Sequence, residues 1–292
     1  MELNTSTNNL NYIGICCTAT YTKPNYYMLQ NLLLKTKHLL LFTCLCVLIF
    51  GACRIETDIP PIMELTTEDR RNIAESILDL ITANENYEIL DKNEYAEAYA
   101  YLDNYVSFMT NSTVLEHRTD YNWTAYIIGD ETGTNAFTTP GGYIYFDKGL
   151  LKRISSEAAF MHFLANEISY ADKGFVSKKL QDNYGLQLLL DLALGSTVET
   201  AEELLNTLYN KPYDQNSVEQ ADDFMLELAC EKEYDAGLFK SFLQNNDTIV
   251  WLETHPTNSL DTRLNLIRDY ECVNQDSVGV TMDTYSEFLS KL

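Results

Sequence analysis

Basic residues are scarce in this sequence. Its 292 residues include 20 Lys and Arg against 43 Asp and Glu, which gives a formal net charge of −23. Sequence-independent binding to nucleic acid needs a basic surface that neutralises phosphates, and a polybasic hold on anionic lipid needs clustered Lys and Arg. Both functions are therefore excluded. The acidity is spread along the chain, which is typical of a soluble surface.

Long hydrophobic runs are also scarce, and the one that stands out covers 38–52. It is shorter than the roughly 20 residues that a membrane-spanning helix needs, and it follows Lys35 and Lys37, as in a signal peptide. Small residues then precede Cys53, and this ending resembles the lipobox of bacterial lipoproteins, apart from the bulky Phe50. The resemblance implies that Cys53 carries lipid and becomes the mature N-terminus. The alternative is a short membrane anchor that is never cleaved.

These features divide the chain into three parts. We predict a leader over 1–52, a tether over 53–65 that is acidic and contains proline, and a single domain over 66–292. Met28 would begin a signal peptide of ordinary length, 28–52, so we hypothesise that the residues before it lie upstream of the true start. The expected location is the cell envelope, anchored by lipid to the outer membrane or to the periplasmic face of the inner membrane.

Cysteine is rare beyond the leader. Only Cys230 and Cys272 follow Cys53. Two cysteines do not form a disulfide framework. They either pair in an oxidising compartment or remain two free thiols, and the sequence leaves both possibilities open.

The domain is predicted to be α+β, mostly helical with one small β-sheet. Thr66 and Asp69 predict a capping box that opens a helix through Thr82. Alternating apolar residues predict strands at 123–130 and 141–146. Further helices are predicted at 93–109, 156–173, 176–194, 198–209, 216–231, 236–245, 259–270 and 283–291.

The segment FLANEISY, residues 163–170, is unremarkable alone, but its flanks form an ordered set of motifs. These are Asn135-Ala-Phe137, Pro140-Gly-Gly142, Ile144, Gly149-Leu-Leu151, Ser156-Glu157, Ala221-Asp222, Tyr234-Asp235, Thr254-His-Pro256 and Arg263-Leu264. In order and spacing they resemble the signature of peptidase family M48, a family of zinc metalloendopeptidases. The resemblance covers about 66–270 and implies a zincin-like, mini-gluzincin fold.

The resemblance also implies where the zinc site of active members would lie. Active members hold zinc with two histidines at i and i+4 of one helix and a glutamate from a later helix, and the glutamate after the first histidine is the general base. Asn166 and Tyr170 stand at the histidine positions, Glu167 stands at the base, and Val218 stands at the third ligand. An asparagine oxygen is a weak ligand, the tyrosine hydroxyl has an ordinary pKa near 10, and valine has no ligand atom. Glu167 therefore matches the general base of active members, whereas all three ligand positions differ, and no zinc cofactor is predicted.

Other residues near the site admit two interpretations. Glu219 would become the third ligand if the alignment slipped by one, and His162 lies one turn before Asn166, but neither restores the two histidines. Asp222 resembles the family acid that orients a ligating histidine, and without that histidine we expect it to pair with Tyr170 or a helix end. His255 and Arg263 resemble cleft residues of the family. From the residues alone they would be a loop histidine and a solvated helix arginine.

The family's peptide groove predicts one more feature. In zincin folds an edge strand beside the zinc helix binds extended peptide by strand addition, and Tyr143, Ile144 and Tyr145 occupy the corresponding segment. Alternation places the two tyrosines on one face of this strand. The alternative is that this face packs under a loop.

The leading hypothesis is a lipid-anchored pseudo-peptidase of the cell envelope that binds a polypeptide or an envelope protein without cutting it. One alternative is an active zinc metalloendopeptidase with an atypical site that cleaves envelope proteins. Another is a purely structural lipoprotein whose groove is closed.

Overall fold

A computed structural model describes residues 64–196, 199–269 and 284–292. The predicted leader, the predicted lipidation site Cys53 and most of the predicted tether lie outside these residues, so the domain boundaries remain predictions. Within the described part of the chain, no helix is long and apolar enough to cross a membrane.

Helix α1, Thr67–Thr82, begins as predicted. The Thr66 side chain accepts a hydrogen bond from the backbone N–H of Asp69 at 3.1 Å, and the Asp69 carboxylate accepts one from the Thr66 N–H at 2.8 Å. This reciprocal pair satisfies two of the N–H groups that a helix start leaves without partners. The buried face of α1 contains Ile73, Ile77 and Ile81.

Three strands form one mixed sheet. They are β1 (Thr124–Ile128), β2 (Ala136–Thr138) and β3 (Tyr143–Asp147), in the spatial order β1-β3-β2. β3 runs parallel to β1 and antiparallel to β2. The β2–β3 turn depends on Gly141, which has φ +87° and whose added Cβ would lie 2.5 Å from the carbonyl oxygen of Arg70. The sequence predicted β1 and β3 but not the three-residue β2.

The prediction of a peptide-binding edge strand at Tyr143, Ile144 and Tyr145 is wrong. β3 is the central strand, and its hydrogen-bonding edges are used by β1 and β2, so it cannot accept an added strand. The predicted alternation is present: Ile144 packs into one core cluster, and Tyr143 and Tyr145 pack into the other. The Tyr145 ring stacks on Phe137 with 4.8 Å between ring centroids. The tyrosine face is therefore core.

The other helices surround the sheet. They are α2 (Ala96–Thr110), α3 (Lys148–Arg153), α4 (Glu157–Asp172), α5 (Phe175–Ala193), α6 (Ala201–Asn210), α7 (Gln215–Glu231), α8 (Ala236–Asn245), α9 (Val250–Thr254), α10 (Leu260–Asp269) and α11 (Tyr285–Leu289). The short α3 and α9 were not predicted. Every residue of α4 is buried, because α7, α8 and β2 pack around it.

Cys230, near the end of α7, is disulfide-bonded. This excludes a free thiol at this position. Cys272 lies outside the described residues, so its pairing with Cys230 remains a prediction.

We expect Gly185→Ala to destabilise the protein by about 1–3 kcal/mol. Gly185 interrupts α5 with φ 78° and ψ 161°, a backbone conformation that is essentially restricted to glycine. No atom lies within 4 Å of an added Cβ, so the cost would come from the backbone and not from a clash. Urea denaturation measures the change, and Gln187→Ala, at an exposed position two residues further on, is the matched control. If the two variants had equal free energies of unfolding, the backbone at residue 185 would not require glycine.

Candidate functional site

Two motifs that are far apart in the sequence meet beside helix α4. The Thr254 hydroxyl donates a hydrogen bond to the side-chain oxygen of Asn135 at 3.1 Å, and the backbone N–H of Tyr213 donates one to the Thr254 carbonyl at 3.0 Å. The first bond ties the end of α9 to the start of β2, and the second ties it to the segment that precedes α7. They place His255 and Trp251 over the face of α4 that carries Glu167.

Helix α4 presents Asn166 and Tyr170 to α7, as the zinc-helix alignment predicts. The two residues are one turn apart and therefore share a face. The Ser169 hydroxyl lies 2.6 Å from the Asn166 carbonyl oxygen and 3.2 Å from the Ala221 carbonyl oxygen, so it links the two helices. Tyr170 and Val218 belong to the same buried cluster. Asn166 and Tyr170 therefore lie on the face of α4 that packs against α7, the helix that carries Val218.

Asp222 forms the polar centre of this interface. Its Oδ1 accepts a hydrogen bond from Asn166 Nδ2 at 3.2 Å, and its Oδ2 accepts one from Arg263 Nε at 2.7 Å. Arg263 Nη2 also donates to the His255 carbonyl at 2.9 Å. The predicted pairing of Asp222 with Tyr170 or a helix end is wrong, because Asn166 and Arg263 take up both carboxylate oxygens. Arg263 is 1% exposed, so it is not a solvated arginine.

The Asp222–Arg263 pair is buried in full. Burial raises the pKa of Asp222, and the charge and the hydrogen bond of Arg263 oppose this rise. The guanidinium also lies 4.8 Å from the Trp251 ring. Asp222 is therefore bonded to α4 through Asn166 and to α10 through Arg263. Among the described acidic side chains, no other one forms an ion pair with Arg263.

Aromatic rings occupy the space beside Tyr170. The Tyr170 ring lies 4.1 Å from the Tyr213 ring and 5.0 Å from the His255 ring, measured between centroids. Its hydroxyl is buried without a hydrogen-bond partner among the described residues, and burial raises its pKa well above 10. A tyrosine in this state keeps its proton and cannot act as an anionic ligand.

Glu167 is completely buried. Its Oε1 accepts a hydrogen bond from Trp251 Nε1 at 3.1 Å and lies 3.4 Å from His255 Nε2, whereas Oε2 has no hydrogen-bond partner in the part of the chain that the structure describes. Burial raises the pKa of Glu167 to about 8, against the opposing effects of Trp251 and Lys179. Burial also holds the pKa of His255 well below its ordinary value. Near neutral pH the two side chains are mostly uncharged, so their contact is not an ion pair.

Lys179 was not predicted as a site residue. This α5 side chain is buried, its Nζ lies 4.0 Å from the Tyr213 ring centroid, and burial lowers its pKa to about 7. The Glu167 carboxylate opposes that shift. A sequence signal for its burial exists, because Lys179 lies three residues after the buried Val176 and next to the buried Leu180, on the same apolar face.

The residues present do not fit a zinc ion. Asn166 Oδ1 and the Tyr170 hydroxyl are weak neutral oxygen donors, and Val218 has no donor atom. Neither proposed replacement helps: His162 Nδ1 lies 2.7 Å from the Ala158 carbonyl oxygen while its ring stacks on Phe239. Glu219 is exposed and accepts a hydrogen bond from Gln215 at 2.7 Å. Within the described ranges, no three His, Cys, Asp or Glu side chains form a group that could hold a metal.

We expect the wild-type protein to lose stability relative to the Glu167→Gln variant as pH rises from 4.5 to about 8. The quantity that falls is the free energy of unfolding of the wild type minus that of the variant. Below pH 4.5 the carboxyl is protonated in both the folded and the unfolded chain. Above it, the unfolded chain releases a proton that the folded chain retains, so wild-type stability declines until pH exceeds the folded pKa. The expected decline is about 2 kcal/mol or more.

Urea denaturation of both proteins at pH 5, 6, 7 and 8 measures this difference. Glu202→Gln, which changes an exposed glutamate of α6, is the control and should show no comparable slope. A difference between wild type and Glu167→Gln that stays constant with pH would contradict a protonated, buried Glu167.

The fold and site together define a zincin-like domain in which side chains fill the metal position. The family model of peptidase family M48 matches residues 96–271, and the chain belongs to that family. The family is zinc-dependent, whereas the residues at this chain's ligand positions do not fit the metal. No curated protein gives a significant match.

Proposed function

We propose that this protein is a pseudo-peptidase: a lipid-anchored envelope member of peptidase family M48 that lacks zinc and binds a polypeptide or an envelope protein. One observation is the main support for a loss of peptidase activity. Asn166, Glu167 and Tyr170, the positions of the family's catalytic helix motif, each have no exposed surface. The signal-like run and lipobox-like ending before Cys53 support the lipid anchor and the envelope location.

Hydrolysis would need three properties that this site does not offer. A substrate carbonyl must reach the general base, but Glu167 is covered by Trp251 and His255. The base must be ionised, but burial favours its protonated form. Water must be activated strongly, which in this family is the role of the metal.

The closed site also favours a second candidate, a purely structural lipoprotein. If the former cleft is filled, a partner must bind to another surface or there is no partner. The two candidates differ in binding and not in catalysis, so a binding measurement separates them.

We expect the purified full chain to contain less than about 0.1 zinc per molecule, because its donor set is too weak for a stable site. We also expect no chelator-sensitive cleavage of casein. Elemental analysis and a fluorescent casein assay measure the two quantities. Glu167→Gln is the control, since cleavage that this variant retains would come from a contaminating protease. Close to one zinc per chain, with cleavage abolished by chelator and by Glu167→Gln, would establish an active peptidase instead.

A further inference from the structure

A groove lies on the side of α7 that faces away from the former zinc site. It encloses about 720 Å³ between α7, the start of α5 and the segment that follows α2. Asp223, Phe224 and Glu227 line it, and their spacing of one, three and four residues places them on one helix face. Val218 and Asp222 lie on the other face, against α4. The groove is thus separate from the filled site.

The floor of the groove is apolar. Val114, Phe175 and Phe224 line it, and the first two are partly exposed. The rim carries the exposed carboxylates of Asp223 and Glu227. An apolar floor with a charged rim is the usual arrangement of a protein-binding surface.

The negative charge of the rim is not balanced by the one cation in the lining. The ammonium of Lys173 lies 2.7 Å from Glu116 Oε1 and 3.5 Å from Asp172 Oδ2, and it lies 4.1 Å from the Phe224 ring centroid. Two carboxylates already offset its charge. Partial burial and the nearby Glu219 raise the pKa of Asp223.

We propose that this groove binds a cationic segment of a partner polypeptide, with apolar side chains on the floor and Lys or Arg at Asp223 and Glu227. The proposal rests on the proposed function only in taking a polypeptide as the partner. A second copy of the chain is disfavoured by its net charge of −23, and the undescribed stretches 54–63 and 270–283 are themselves acidic. The basic stretch 1–52 is the leader that the proposed function removes from the mature protein. Charge complementarity therefore selects a basic partner.

The test uses the full chain in detergent and three fluorescein-labelled probes of twelve residues, which alternate Lys with Leu, Lys with Ser, or Glu with Leu. Fluorescence anisotropy at physiological salt measures the affinity. We expect the Lys–Leu probe to bind and each of the other two to bind at least about 10-fold more weakly, because each lacks one of the two complementary features.

Two double variants test the location. Asp223→Asn with Glu227→Gln should weaken binding of the Lys–Leu probe about 10-fold or more, since both rim charges are lost. Glu202→Gln with Glu203→Gln removes the same charge from exposed positions on α6 and should weaken it less than about 2-fold. All four positions are exposed, so the variants should fold, and circular dichroism checks this.

Three outcomes would overturn the proposal: equal loss in both double variants, equal affinity for the Lys–Leu and Lys–Ser probes, or no binding of the Lys–Leu probe. None of them bears on the zinc and casein measurements. Conversely, a zinc-containing, active protein would refute the pseudo-peptidase and leave binding at this groove intact. The two failures are therefore distinguishable.

Discussion

Arg263→Met should lower the free energy of unfolding by about 3–5 kcal/mol, because it leaves Asp222 buried without its counter-ion. The substitution removes the 2.7 Å bond to Asp222 Oδ2 and the 2.9 Å bond to the His255 carbonyl. Asp222 is 1% exposed, so water cannot replace the lost partner. Methionine keeps most of the apolar volume, and the loss therefore reports charge and hydrogen bonding. Denaturation in guanidinium chloride measures it.

Two further variants make the comparison specific. Lys178→Met removes an exposed lysine that pairs with Asp182 and Asp214, and it should cost less than about 1 kcal/mol. Asp222→Asn combined with Arg263→Met should cost less than Arg263→Met alone, because no buried charge is then left unpaired. An Arg263→Met variant as stable as Lys178→Met would show that the buried pair does not hold α7 and α10 together.

Restoring the ligands should produce a zinc protein. We expect Asn166→His, Tyr170→His and Val218→Glu together to raise the zinc content from less than about 0.1 to close to one per chain, since two histidines and a glutamate are an ordinary zinc set. The helices that carry the three positions, α4 and α7, already pack together, and Asp222 already accepts a hydrogen bond from residue 166. An acid that holds the outer nitrogen of a ligating histidine is a common support of zinc sites.

Matched variants test the geometry of that site. The two histidine substitutions without Val218→Glu should bind zinc at least about 10-fold more weakly, because the third ligand is missing. Adding Lys179→Met to the triple variant should strengthen binding, because a buried ammonium that interacts electrostatically with Glu167 would repel the metal. Zinc binding that does not depend on residue 218 would show that the ligand alignment is wrong.

Local chemistry explains what could be predicted about the fold. The capping box at Thr66 and Asp69 depends on residues three apart, and the alternation around Ile144 depends on neighbours in one strand. Such signals are complete within a few residues. The α+β class and the helix positions around α4 and α7 were predicted on this basis, and the M48 resemblance added the fold. The family assignment is confirmed.

The errors at the site concern which elements pack against each other. Tyr143 and Tyr145 were expected on an edge strand, but β2, which is only three residues long, pairs with the strand that carries them. The sequence left two environments possible for Arg263, the cleft and the solvent. Helix periodicity shows which residues share a face, but it does not show which helix packs against that face. Lys179 was missed because a lysine on an apolar face gains a place in the core only through partners such as the Tyr213 ring.

The sequence by itself, through its resemblance to the family, predicted Asn166, Tyr170 and Val218 at the three zinc-ligand positions and Glu167 at the general base, because such an alignment depends on residue identity and order and not on tertiary contacts. Only the tertiary structure decided what became of the site. Tyr213, Trp251 and His255 fill it, and Arg263 binds the acid behind it. Burial of Glu167 and the ion pair of Asp222 arise from helices that are far apart along the chain, and their free energy depends on solvent exclusion, which no local pattern contains.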